Sequence, residues 1–176
     1  MFQVAEGIVA IYKTMMDGRR QIIDFAYPGD IIGLGVLKEH VLSAQAIRPA
    51  KVRCLSATAL ELAAEKDASL AVKLYKAVSQ ELAATRHLLV MLGQSNAIER
   101  MATFLLDLHG RIGDPTTGTV TLAMRRSDIG DLLGLTIETV CRTLTKLRVA
   151  GIIELEQSGT TARILDFERL AEFARD

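Results

Sequence analysis

Apolar residues recur along most of this chain at spacings that name their elements. From Arg126 to Leu147, Ile129, Leu132 and Leu133 give a short helix one apolar face, and Val140, Leu144 and Leu147 give a second helix its buried stripe. Gly134 lies between them, where a helix end needs a residue that tolerates positive φ, and Thr136 is placed to cap the second helix. Gly130 falls where the two helices cross closely. This is a helix-turn-helix pattern. The segments Ile152 to Leu155 and Ala162 to Leu165, joined through Glu156-Gln157-Ser158-Gly159, read as a β-hairpin. A hairpin directly after the second helix makes the pattern a winged helix.

The region before it divides into three. Residues 1–57 read as closely spaced strands with glycine turns: Val4 to Tyr12 broken at Gly7, Gln21 to Tyr27, Ser43 to Ile47 and Lys51 to Ser56. Thr58 to Asp67 reads as a short helix, followed by a long one over about 69–93. There Ala71, Tyr75, Val78, Leu82, Thr85, Leu89 and Leu92 repeat at alternating spacings of four and three, a heptad seam suited to a two-helix coiled coil. A second stripe, Leu70, Leu74, Ala77, Leu88 and Met91, is available to pack on the strands. Asn96 to Glu99 fits a capping box that opens a new helix with Ile98, Met101, Phe104, Leu105 and Leu108 on its apolar face. Val120 to Met124 is strand-like, and a last helix covers Arg169 to Ala174. The expected fold is α+β, with domains at 1–66, 67–95 (dimerisation helix and hinge) and 96–176.

On the exposed face of the second helix, Glu138 and Arg142 are four residues apart and project together, with Cys141 beside them. A glutamate accepts from the cytosine amino group, and an arginine grips guanine N7 and O6. The plain alternative is a surface ion pair on a helical hairpin. Candidate phosphate contacts are Arg125, Arg126, Thr136, Thr139, Lys146, Arg148 and the wing residue Arg163, each with an alternative as a cap or solvated side chain. Lys+Arg and Asp+Glu both total 21, so DNA affinity rests on local charge. Between Arg125 and Arg148 there are five basic and three acidic residues. No apolar run reaches membrane-spanning length, and the two cysteines supply neither a disulfide framework nor metal-ligand spacing, which suits a reducing cytoplasm. Histidines 40, 87 and 109 are scattered, no catalytic motif stands out, and no enzyme is expected.

The stretch GLTIETVCRTLTKLRVAGII resembles the recognition segment of Crp/Fnr-type transcription regulators, most closely the Fnr and FixK branch. In that branch the helix carries Glu, then three residues ending usually in Ser, then Arg; Glu138 and Arg142 match, and Cys141 replaces the serine. DFAYPGDIIG resembles part of the family's cyclic-nucleotide-type β-roll. The resemblance implies a partial β-roll without its first strands, a long dimerisation helix and a C-terminal winged helix. Tyr75, Val78, Leu82, Thr85, Leu89 and Leu92 would then pair two copies. The homodimer would read a palindrome of the type TTGAT-N4-ATCAA with Glu138, Cys141 and Arg142 of the recognition helix, residues 136–147. RNA polymerase is an implied partner, through surfaces near 16–20. Leu34 and Leu42 stand where the family's cyclic-nucleotide binders place a glutamate and an arginine, so no cyclic nucleotide is expected. Cys54 resembles a cluster-ligating position, but an iron–sulfur cluster needs about four thiolates, so Cys54 is expected as a buried strand cysteine, the alternative being a cluster ligand in a longer parent chain. Cys141 is either a small residue in serine's place or a redox switch on the DNA face. The competing reading of the whole chain is a truncated sensor or dimerisation module that modulates a full-length partner without binding DNA productively.

Overall fold

The computed structural model describes residues 1–33, 40–93, 96–156 and 159–175. The chain forms two compact units, Met1–Leu88 and Leu89–Asp176.

Among the described residues the first unit holds six strands and a helix, with most of a second. β1 (Phe2–Glu6) pairs antiparallel with β4 (Ile31–Ile32) on one side and β6 (Lys51–Cys54) on the other. β2 (Val9–Thr14) pairs likewise with β3 (Arg20–Ala26) and β5 (Ser43–Ala46). The turn between β2 and β3 is held by Asp17, whose carboxylate accepts from the Arg19 backbone N–H at 3.0 Å and from its Nε at 2.7 Å. Those bonds, the backbone one foremost, hold the Asp17 carboxyl below the ordinary carboxylate range. Val4, Val9 and Ala26 form a small core with Ile11, Ile32 and Ala50 against it. Every residue of β5 and of β6 is exposed. The expectation for Cys54 is therefore corrected: this thiol is exposed, as is every residue of β6, the strand that carries it.

α1 (Ala57–Lys66) starts at Ser56, whose Oγ accepts from the Ala59 N–H at 3.2 Å. α2 (Ala68–Gly93) is the long helix. Its two stripes differ in environment. Leu70, Leu74 and Ala77 are half-buried and Leu88 and Met91 buried, whereas Tyr75, Val78, Leu82 and Leu89 are 74%, 44%, 49% and 66% exposed. The heptad seam thus lies open from Ala71 to Leu89, and Leu92 at its end is half-buried. Glu81 has its carboxyl pushed up by partial burial first and by the like charge of Asp24 second.

The second unit is built on α3 (Ala97–Ile112), which packs against β7 (Thr119–Thr121), α4 (Arg126–Leu133), α5 (Ile137–Val149) and α6 (Phe167–Arg175). Asn96 opens α3 with the capping box: its side chain accepts from Ile98 and Glu99, and the Glu99 carboxylate returns to the Asn96 N–H. β8 (Ile153–Leu155) and β9 (Thr161–Ile164) form the wing, and β7 pairs with β9 to make a three-stranded sheet. Met101, Leu105, Leu122, Ile129, Leu133, Leu144, Leu147, Ile152, Ile153 and Leu170 are almost wholly enclosed. Each such side chain contributes about 1.5–3 kcal/mol by leaving water, so this core holds the helix-turn-helix rigidly.

Candidate nucleic-acid interface

The turn between α4 and α5 rests on two glycines. Gly134 ends α4 at φ 63°, ψ 40°, the left-handed region that a side chain disfavours. Gly130 lies under the turn: a Cβ there would be 2.6 Å from the backbone oxygen of Leu135. The Leu135 N–H in turn donates to the Gly130 carbonyl at 2.9 Å. At the other end of α4, the Arg125 N–H donates to the buried Asp128 carboxylate at 2.9 Å. Thr136 then caps α5, its Oγ1 accepting from the Thr139 N–H at 3.3 Å.

With Val140, Thr143, Leu144 and Leu147 buried, α5 turns Ile137, Glu138, Cys141, Arg142, Thr145 and Lys146 to solvent. The three expected base-reading residues share this one face. Glu138 is fully exposed, and its carboxyl is held below the ordinary range by its own backbone N–H, then by the Thr136 hydroxyl and the Arg142 charge. It is an ionised acceptor at neutral pH. The Arg142 Nη2 donates to the Thr139 Oγ1 at 3.3 Å, a weak tether that leaves most of the guanidinium free to donate elsewhere. Arg142, Thr145, Lys146, Val149 and Ala150 line a shallow groove at the C-terminal half of the helix.

The expected phosphate contacts divide. Arg125, Lys146 and Arg148 are exposed around α4 and α5. Thr136 and Thr139 serve as the cap, with their hydroxyls 3.1 Å apart. Arg163 on β9 pairs with Glu154 on β8 across the wing. Arg126 is half-buried, and its Nη2 donates to the Gly159 carbonyl at 2.6 Å, fastening the wing tip to α4. Burial is the first cause that pulls this guanidinium below its ordinary range, and its proximity to Cys141 acts the other way. That wing tie has no counterpart in the sequence reading. Gln157 and Ser158 of the wing turn, and Leu34 and Gly35 of the expected effector loop, lie outside the described residues. Leu42 is 40% exposed. Cys141 is exposed on α5 as a free thiol. Among the described residues no group of three His, Cys, Asp or Glu side chains converges to hold a metal ion, and no helix is long and apolar enough to cross a membrane.

A winged helix of this build, carried behind strands of a roll and a long helix, defines a class of bacterial transcription regulators, and comparison with known proteins agrees. Residues 99–173 match the Crp-like helix-turn-helix domain, and residues 1–67 match the cyclic nucleotide-binding domain. The nitrogen fixation regulation protein FixK of Azorhizobium caulinodans is 42% identical over 161 residues, which is 90% of this chain and 65% of that protein. FixK of Bradyrhizobium diazoefficiens is 38% identical over 175 residues, 98% of this chain and 73% of that protein. The structure of FixK2 from Bradyrhizobium japonicum superposes with a TM-score of 0.91 at 39% identity, covering 99% of this chain and 87% of that one. The chain belongs to the Crp/Fnr family, among its FixK-like regulators. These relatives are regulators and not enzymes, and this chain spans about two thirds to three quarters of their length.

Proposed function

We propose that this chain is a sequence-specific DNA-binding transcription regulator that works as a homodimer on a palindromic operator of the type TTGAT-N4-ATCAA. The observation that carries the reading is the outer face of α5, where ionised Glu138 and a weakly tethered Arg142 project together from a helix whose opposite face is fixed in the core. That pairing suits one G·C base pair in each half-site. The exposed seam of α2 supports the dimer, because Tyr75, Val78, Leu82 and Leu89 form an apolar line with heptad spacing on the outside of the helix. A two-fold dimer places its recognition helices about one DNA turn apart, which matches a palindrome. Arg125, Lys146 and Arg148 supply phosphate contacts, and Arg126 and Arg163 act chiefly within the wing.

The reading includes no cyclic nucleotide, because the alkyl chain of Leu42 offers no charge to pair with a phosphate. The two cysteines present are too few to hold an iron–sulfur cluster by themselves. A cytoplasmic location and contact with RNA polymerase complete the reading, both carried over from the family. The exposure of β5 and β6 favours the second reading, a module that pairs with a longer partner. The intact recognition face outweighs it.

The test uses a duplex carrying TTGAT-N4-ATCAA and versions substituted at the G·C pairs. Arg142→Ala is expected to lose about 1–3 kcal/mol on the intact operator and to stop discriminating at that pair. Glu138→Ala is expected to relax the same pair. Because the Glu138 carboxyl is held low, discrimination by the unaltered protein stays constant from pH 7 down to about 5. Variants that keep full discrimination at every position would refute the assignment.

A further inference from the structure

The last carbonyls of a helix have no partner within it, and the partial negative charge at that end favours a cation. α4 has no basic residue in its own last turn. Arg100 supplies one from α3: its Nη1 donates to the Leu133 carbonyl, the final residue of α4, at 2.8 Å. The same guanidinium reaches the turn itself. Nη1 lies 3.5 Å from where a Cβ of Gly134 would be, and Cδ2 of Leu92, in the last turn of α2, lies 3.9 Å from the same point. Arg100 directly follows Glu99, whose carboxylate closes the capping box on the Asn96 N–H at 3.3 Å. The end of α2, the start of α3 and the turn before the recognition helix therefore meet at Gly134.

The Arg100 Nε is buried with no hydrogen-bond partner among the described residues. An orphaned donor on a partly buried cation is a cost, and an unbranched apolar side chain would follow the same path without it. The guanidinium thus carries a desolvation cost at Nε and makes a directed bond to the turn at Nη1.

We propose that Arg100 is a positioning residue for DNA recognition: by gripping the Leu133 carbonyl it fixes the turn 134–136 from which α5 departs. The proposal rests on the DNA-binding reading above. Arg100 touches no base or phosphate in it and acts through the angle of α5.

Arg100→Met and Arg100→Lys in the full chain test this by two measurements. The first is amide hydrogen exchange in the free protein at Leu135, whose N–H bonds to Gly130 across the turn. The second is the ratio of operator to non-specific DNA affinity across a salt series. In Arg100→Met, exchange at Leu135 is expected to quicken about tenfold while α3 amides keep their protection, and operator affinity to fall about tenfold. Non-specific affinity and the salt slope stay as they were, since no phosphate contact is lost. Arg100→Lys recovers part of both effects, because it keeps the charge but not the rigid fork. Unchanged exchange at Leu135, an unchanged affinity ratio, or loss of protection throughout α3 would each overturn the proposal. If the unaltered protein selects no operator, the DNA reading fails, and the exchange measurement still decides whether Arg100 holds the turn.

Discussion

At Gly130 the packing leaves room for a hydrogen and little more. Gly130→Ala forces the Leu135 carbonyl or the whole turn to move, since the new carbon would lie 2.6 Å from that backbone oxygen. The expected cost is about 1–3 kcal/mol, read as a lower Tm of the second unit, with operator affinity reduced beyond the loss of folded protein. A Tm and affinity equal to those of the parent would mean that the crossing is looser than described. At Cys141 the exposed thiol lies near Arg126, and Arg126 holds the wing through the Gly159 carbonyl. Oxidation there adds bulk and charge to the reading face. Cys141→Ser is expected to bind DNA normally and to resist peroxide; a serine variant inactivated as readily as the parent would remove the switch. The two arginine ties were not legible in the sequence for a common reason. Arg100 and Arg126 each bond a backbone carbonyl 33 residues away, and a carbonyl leaves no mark in the pattern of side chains. Glu138 and Arg142 were legible because helical spacing alone puts them on one face.

Among the elements, the long helices announced themselves through period. α2 and α3 carry enough turns for their stripes to be unambiguous, and Asn96 to Glu99 marked the start of α3. β7 was harder. It is three residues long, and its membership of the wing sheet depends on a partner strand some forty residues further on. The stretch Lys51 to Ser56 indicated a strand but not whether anything covers it, and so the burial expected of Cys54 did not follow. The two stripes of α2 were both visible in the sequence, and in the structure one is half-buried to buried while the other is exposed as far as Leu89. Leu82→Glu places a charge in the middle of the open stripe and should leave the helix content unchanged while converting dimer to monomer, as read by sedimentation. A Leu82→Glu protein that sediments as the parent does would move the dimer contact off this seam.

For the whole molecule, a net charge of zero means that attraction to DNA comes from a few cations around α4 and α5 and not from bulk charge. Affinity for arbitrary DNA should accordingly be weak and strongly salt-dependent, and the specific contacts must carry the discrimination. The measurement that tests this most directly is selection of bound sequences from random duplex DNA, with reduced protein at a stated salt concentration. The account predicts recovery of a TTGAT-type palindrome, with half-sites about one helical turn apart and G·C pairs that lose their preference in Arg142→Ala. Recovery of no common sequence by protein shown to be folded and dimeric would contradict it.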